Sequence, residues 1–451
     1  MARETRQKWP RARVAIVEAF DIPPVTADMR QRVGSSQIDE FVLAHGASDV
    51  LRELVQNECE AIGSEIGIRF TDTKLEITGT GRDIPPKGWG RLSVLIGTDE
   101  VLGDGSGEII TPKESSIGSK NLGMRSLFRF GDKIHVRSAG RMAILDLLTF
   151  TAGRQSDPAR RGRKGILIQV PYRTAPLRRF VPFTPEREAA DLEEIERVLF
   201  PTLVKLALPG RRGGIQALTI SSERQDQRLN WSQNAETGRS PVEGISVIRR
   251  VGRMQARGPG SVRSRRNHEE LEFSRLVDIP VDHTNLDFPD YFRSGEQLRV
   301  AISIPLKGGK PVTDRIGHCY YPLQAGQART GCAISASAPF HLDAERTRLI
   351  SDDWNIWLND EVATLVADLI GADWYGRFGR PAYDLVLRQG QEEGTLADLV
   401  MARLKDSACW PNAEGQQSLA KGLVVPDNPA LRGHVSASAY LHGDLSADAE
   451  I

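Results

Sequence analysis

From 45 to 62 the chain reads HGASDVLRELVQNECEAI, with apolar residues recurring at three- and four-residue intervals. That period predicts an amphipathic helix, with Ser48 as its N-cap before Asp49. Shorter stretches alternate in polarity with a period of two: IRFTDT (68–73), KLEIT (74–78), KIHVRS (133–138), RMAILDLL (141–148) and GILIQVPY (165–172). Each is bounded by glycine or by polar turn residues and is predicted as a strand. Among them lies VLGDGSGEIITPKESSIGSKNLGMRSLFRF (101–130), a glycine-rich stretch that leads into a short helix. Further on, Thr184 and Pro185 open a helix predicted through PEREAADLEEIERVLFPTLVKLAL (185–208). Strand patterns return at IQALTISS (215–222), ISVIRRV (245–251), ELEFSRLV (270–277) and LRVAISIPL (298–306). A last amphipathic helix, 352–371, is predicted to stop at Gly371.

One strong helix, several antiparallel strands and a long glycine-rich loop predict an α+β chain whose first part is a two-layer α/β sandwich with a mixed, mostly antiparallel sheet. A second α/β region follows. The soft breaks divide the chain into an N-terminal extension (1–35), a first domain (36–182), a middle domain (183–371) and a small C-terminal region (372–451). The final SADAEI ends without a finished pattern, as in a chain cut from a longer protein or one with a flexible tail.

Composition narrows the classes. With 451 residues, two or three domains are expected, and 40% hydrophobic with 26% charged residues is a globular balance. Lys+Arg and Asp+Glu both number 59, so no uniform electrostatic footprint for nucleic acid or a membrane surface exists. Apolar runs such as Gly165 to Val170 are far shorter than the ~20 residues a membrane span needs. The basic N-terminus lacks the apolar core of a signal peptide. Cys59, Cys319, Cys332 and Cys409 form no CxxC pair, which suits free thiols in a reducing, cytoplasmic setting. His318 with Cys319 and Cys332 lacks a fourth ligand at zinc spacing.

Candidate chemistry starts on the first helix. At ~100° per residue, with Glu53 at zero, Asn57 falls at about 40° and Glu60 at about −20°, while Leu51, Leu54, Val55, Cys59 and Ile62 fall between about 100° and 240°. Glu58 is the one charged residue inside the apolar arc. From spacing alone, the row Glu53, Asn57, Glu60 reads either as a solvated face or as a carboxylate placed to polarise water beside a hard cation held by the asparagine oxygen. Downstream, Gly79-Thr80-Gly81 follows a strand, and Ile117 to Phe128 runs from a glycine-rich loop into a helix, with Lys120 adding a point charge. A loop of free backbone N–H groups at a helix start is an anion cradle.

In this order, ELVQN, then TGTG, then GSKNLGMRS, the chain resembles the GHKL superfamily of DNA gyrase, the ninety-kilodalton heat-shock chaperone, histidine kinases and MutL. Glu53 to Ala61 looks like the first box, Thr78 to Gly81 like the second, and Ile117 to Phe128 like the third, over roughly residues 45–172. Gly165 to Thr174, and Ala338 to Leu349 followed by Trp354-Asn355, narrow the resemblance to sacsin-like proteins. The resemblance implies ATP and Mg²⁺ as ligands. Glu53 would activate water, Asn57 would hold the magnesium, and Thr78, Gly79, Gly81, Gly118, Ser119, Lys120, Asn121, Leu122 and Gly123 would line the nucleotide. Arg346, with Arg348 as the alternative, would reach the terminal phosphate, although a surface ion pair with Asp343 or Glu345 explains either arginine equally well. The output would be slow ATP hydrolysis coupled to work on a protein partner, in a bacterial multidomain or defence setting, with a homodimer left open.

Two departures stand out. Ile77 occupies the place of the base-reading aspartate and Ile166 that of the usual threonine, with Asp83 or Thr78 as substitute acceptors; Asn121 replaces the third box's middle glycine. A nucleotide-free scaffold is therefore one alternative. A DNA-engaging clamp resembling MORC or MutL is another, through the seven arginines of RRVGRMQARGPGSVRSRR (249–266). Without an interleaved aromatic, that run is expected to be a flexible solvated loop, and so is ARRGRKG (159–165).

Overall fold

The computed structural model describes residues 46–85, 89, 122–148, 151–177, 179–199, 215–240, 242–259, 261–280, 297–320, 324–341, 348–387, 389, 395–425 and 436–446. Fifteen strands among them join one large sheet. In chain order they are β1 (Glu65–Phe70), β2 (Lys74–Gly79), β3 (Lys133–Ser138), β4 (Arg141–Asp146), β5 (Thr151–Ser156), β6 (Leu167–Pro171), β7 (Ala217–Ser222) and β8 (Gln227–Gly238). There follow β9 (Ser246–Gly258), β10 (Ser261–Asp278), β11 (Gln297–Lys307), β12 (Lys310–Pro311), β13 (His318–Tyr320), β14 (Gln324–Arg329) and β15 (Ser335–Ser337). The spatial order is β14-β13-β15-β11-β10-β9-β8-β7-β1-β2-β6-β3-β4-β5, with β12 hairpinned onto β11. Only β1 with β7 and β13 with β15 run parallel, so the sheet is mixed and mostly antiparallel, as the α+β reading expects.

Helix α1 (Ala47–Glu60) lies on one face of this sheet, joined by the short α2 (Leu122–Arg125) and by α3 (Pro185–Glu194). Its apolar arc buries Val50, Leu51, Leu54, Val55 and Cys59 against Ile68, Phe70, Leu75, Ile77, Ile168 and Val170. Each such side chain taken from water contributes about 1.5–3 kcal/mol. The same core takes in Leu218, Ile220, Leu229, Trp231, Met254 and Ala256 from β7 to β9. A second core surrounds α4 (Asp353–Leu369), with Trp354 and Trp374 against Phe273, Val300 and Ile302. Residues of α5 (Leu396–Lys405) close it through Ala397, Val400 and Leu404.

Strand β9 ties the two cores and also separates them. Val247 belongs to the second core and Met254 to the first, an odd number of positions apart on a strand that pairs with β8 without a register break. Side chains alternate along a strand, so the two helical layers cover opposite faces of one sheet.

Local expectations are corrected in several places. The α1 N-cap is Gly46, whose N–H donates to Asp49 Oδ2 at 3.2 Å; Ser48 lies inside the helix and donates its hydroxyl to Glu194 Oε1 at 2.5 Å. Ile62 is not in the apolar arc. It is 48% exposed with φ of 60°, because the helix has already ended. The 352–371 helix does not stop at Gly371 but continues as a wider turn over Ile370–Trp374, then Tyr375–Phe378, and Gly379 with φ of 66° ends it. The predicted loop 249–266 is extended strand in its described residues, because alternate positions of β9 are buried and β10 pairs along it. The Thr184 cap holds, accepting the Arg187 N–H at 3.4 Å, but the α-helix ends at Glu194 and passes into a wider turn over Ile195–Leu199. Strands β5, β8 and β12 to β15 went unpredicted; β8 shows only Leu229 and Trp231 as inward apolar signals among polar residues.

Candidate functional site

Glu53 and Asn57 stand one turn apart on α1, both half-buried, while Leu54 and Val55 between them are fully buried. They share the flank of the helix next to its core-facing stripe. Gln56 and Glu60 have no described side chains. Glu58, the charged residue inside the apolar arc, turns inward and is only 4% exposed. Its Oε1 accepts the Gly81 N–H at 2.5 Å. Burial pushes its carboxyl up from the ordinary range, opposed by hydrogen bonds from the Gly81 and Thr80 backbone.

The glycines of the second box make room for this carboxylate. A Cβ on Gly79 would lie 2.0 Å from Glu58 Oε2, and one on Gly63 would lie 1.9 Å from Oε1. At Gly81 it would lie 2.7 Å from the Ala61 Cβ and 3.1 Å from Glu58 Oε1. The Arg82 N–H donates to the Ala61 carbonyl at 2.7 Å, a second tie between the glycine turn and the end of α1. Two boxes far apart in sequence thus meet at hydrogen-bond distance.

The remaining second-box residues are placed by strand register. Thr78 pairs with Gly67 and is exposed, on the sheet face away from α1, where its hydroxyl donates to the Gly67 carbonyl at 3.4 Å. Only its backbone can serve a site on the α1 side. Ile77 is 1% exposed and packs beneath α1. Ile166 is half-buried against the same core and exchanges backbone hydrogen bonds with Gly79.

Asp83 Oδ1 accepts from the Gly165 N–H and from the Ser138 hydroxyl, each at 3.1 Å, while Ser138 Oγ accepts the Ile84 N–H. That carboxylate oxygen therefore fastens the start of the closing strand. Gly165 has φ of 81°, and a Cβ there would lie 2.0 Å from the Gly79 carbonyl oxygen, so glycine is required twice over.

Of the third box, Gly118, Ser119, Lys120 and Asn121 lie outside the described residues, and Leu122 and Gly123 open α2, described by backbone alone. Arg346 also lies outside them. Arg348 is described and exposed. The segment's described ends are tied to α4. His341 Nδ1 meets Asp352 Oδ2 at 2.6 Å, Asn355 Nδ2 donates to the His341 and Ile350 carbonyls at 2.7 Å, and Trp354 Nε1 donates to the Pro339 carbonyl at 2.8 Å.

The donor chemistry near α1 suits a magnesium–triphosphate better than a protein-caged metal. Among the described residues no group of three or more His, Cys, Asp or Glu gathers to hold an ion, whereas Asn57 offers a hard amide oxygen beside Glu53. Magnesium typically keeps few protein ligands and takes the rest from water and phosphate. At the base end, Ile77 and Ile166 offer no acceptor side chain.

Reasoning from sequence did not foresee the Glu58 clamp. Its signal was present, since a carboxylate within an apolar arc must find buried donors.

Among solved structures, the chain is similar to an Aquifex aeolicus MutL ATPase domain carrying a lysine-to-asparagine substitution. The identity is 14% and the TM-score 0.25, over 46% of this chain and 75% of that one. It is also similar to the ATPase domain of the bacterial mismatch repair endonuclease MutL from the same organism. There the identity is 13% and the TM-score 0.25, over 45% of this chain and 71% of that one. No protein-family model matches the chain, and no curated protein matches it. Among the described residues no helix is long and apolar enough to cross a membrane.

Proposed function

We propose that this chain is a GHKL-type ATP-binding module, of the sacsin or heat-shock-chaperone kind, that hydrolyses ATP slowly and passes the resulting closure to a protein partner. The observation that carries the reading is the contact between α1 and the glycine turn, through Glu58 and Gly81. It sets the half-buried Glu53 and Asn57 on the helix that is fastened to that turn.

Asn57 would hold the cation and Glu53 would orient the attacking water and take its proton. Magnesium, when bound with the triphosphate, neutralises charge on the phosphates. Backbone N–H groups of Gly118 to Gly123 would cradle those phosphates, with Lys120 as a point charge, and Arg346 would stabilise the leaving charge. A chain that must bring Arg346 across from its second half turns over slowly.

A nucleotide-free scaffold is the second reading, favoured by the burial of Ile77 and the packing of Ile166 where a base would be read. One assay separates the two. Melting is followed with ATP, GTP or ADP, each with and without Mg²⁺; at 100 times its dissociation constant a ligand adds ~2.7 kcal/mol to stability. Binding with a Glu53→Ala variant that keeps the shift and loses hydrolysis supports the module. No shift with any nucleotide leaves the scaffold.

A further inference from the structure

The basic stretch ARRGRKG (159–165), expected as a loose solvated loop, is a braced turn. Pro158–Arg160 form a short 3-10 turn, and the Arg163 N–H donates to the Arg160 carbonyl at 3.1 Å. Between those two residues, Arg161 (φ −61°, ψ 127°) and Gly162 (φ 75°) hold the angles of a type II turn. Arg160 folds back on the segment, its Nη2 donating to the Gly165 carbonyl at 3.1 Å. A further tie reaches the tip of the β3–β4 hairpin. The Asp157 N–H donates to the Gly140 carbonyl at 2.8 Å, and a Cβ on Gly140 would lie 3.5 Å from the Arg161 Cα.

This rigid corner carries one sign of charge. Arg161, Arg163 and Lys164 are exposed, as is Arg141 at the start of β4 beside them. None of the four pairs with a carboxylate among the described residues. Asp157 is engaged by Arg137 at 3.8 Å, and Asp83 Oδ1 by Gly165 and Ser138. A Cβ on Gly162 would meet nothing within 4 Å, so the tip stands open rather than lining a cleft.

We infer that this corner, Arg161, Arg163 and Lys164 with Arg141, docks an acidic segment of a protein partner. Guanidinium groups match carboxylates bidentately, and a turn already ordered by its own backbone loses little freedom on binding. Other anions fit less well. Small phosphorylated ligands are held in concave clefts, not on an open tip. Nucleic acid is held by longer rows of cations or by stacking on aromatic rings, and 157–165 holds no aromatic residue. A lipid surface needs apolar side chains beside the charge, and the turn exposes only Pro158 and Ala159. Gly165, which ends the turn, also meets Asp83 and packs on the Gly79 carbonyl, so the corner stands on the framework of the second box. That the docked segment belongs to the partner of the ATP-binding module rests on the proposed function; the docking itself does not.

The test is fluorescence anisotropy of a labelled ~12-residue peptide of alternating glutamate and aspartate against the full chain, without nucleotide, at about 0.05 M salt. Saturable binding is expected, weakening as salt rises to about 0.2 M. An Arg161→Gln, Arg163→Gln, Lys164→Gln triple variant is expected to bind about fivefold more weakly or worse. An Arg253→Gln, Arg257→Gln variant, on the exposed face of β9, is expected to bind as the parent does, and circular dichroism checks that each variant is folded. Parallel titrations use the matching glutamine–asparagine peptide, duplex DNA, single-stranded DNA and phosphatidylserine vesicles. No binding of the acidic peptide at the lowest salt, or binding that the triple variant leaves unmoved, overturns the inference. So does equal weakening by the β9 variant, or tighter binding of a parallel probe that the triple variant abolishes. Because nucleotide is absent throughout, failure of the ATP-binding reading leaves these outcomes unchanged.

Discussion

Glu58 Oε1 accepts the Gly81 N–H at 2.5 Å, joining the last turn of α1 to a glycine turn 23 positions later. The contact assigns the three crowding glycines at 63, 79 and 81 to one carboxylate. Glu58→Ala would leave the Gly81 N–H without its acceptor, at an expected loss of about 1–3 kcal/mol in urea denaturation. A variant as stable as the parent would show that the turn holds without the clamp.

Gly162 and Gly165 both have positive φ, yet their surroundings differ. A Cβ on Gly162 meets nothing within 4 Å, whereas one on Gly165 meets the Gly79 carbonyl oxygen at 2.0 Å. Gly162→Ala is therefore expected to cost about 1 kcal/mol from backbone strain alone, and Gly165→Ala about 3 kcal/mol or more through added overpacking. Equal costs, read from denaturation midpoints, would contradict the crowding.

Glu188 is fully buried on α3, where the Ser222 hydroxyl donates to its Oε1 and Arg224 lies 3.6 Å from its Oε2. Burial raises its carboxyl, opposed by Ser222 and then Arg224. The folded state thus holds this proton more tightly than the unfolded chain. Its contribution is fully present below the ordinary carboxylate range, near 4.5, and is lost as pH rises through the raised folded value. Glu188→Gln keeps an acceptor for Ser222 and removes the charge. It is expected to be more stable than the parent at pH 8, with the difference shrinking toward pH 4. A pH-independent difference would contradict this origin.

Ile62 holds φ of 60° just beyond α1, an uncommon backbone for a β-branched residue, while 48% exposed. Its neighbour Gly63 cannot exchange roles with it, because a Cβ there would strike Glu58. Ile62→Asn relieves the strain without removing a core contact, and a gain of about 1 kcal/mol is expected in thermal melts. A destabilised variant would show that Ile62 packs more than its exposure suggests.

Much of the architecture was legible along the chain. The 3.6-residue period of 47–60 and the two-residue period of 133–138 reflect which face meets the core, so α1 and β3 emerged close to their observed bounds. Strand β8 was not legible, because its outward face is Arg228, Asn230 and Ser232 and its inward face continues into Gln233, a buried polar residue whose Nε2 donates to the Ile215 carbonyl at 2.8 Å. The hairpin of β9 and β10 was hidden by composition, since arginine and glycine alternate there with Met254 and Ala256 as the buried signals. Glycine motifs were visible as motifs, but their spacing is equally consistent with a ligand and with a neighbouring side chain.

By itself, the sequence determined which residues seek water and which avoid it, and hence α1, most strands and the polar row of Glu53 and Asn57. Only the tertiary structure decided what those local preferences meet. It brought Glu58 to Gly81, turned Thr78 to the far face, buried Ile77 beneath α1 and split the arginines of β9 between two faces. The physical reason is that periodicity is a property of neighbours along the chain, whereas register and close approach depend on partners tens or hundreds of residues away.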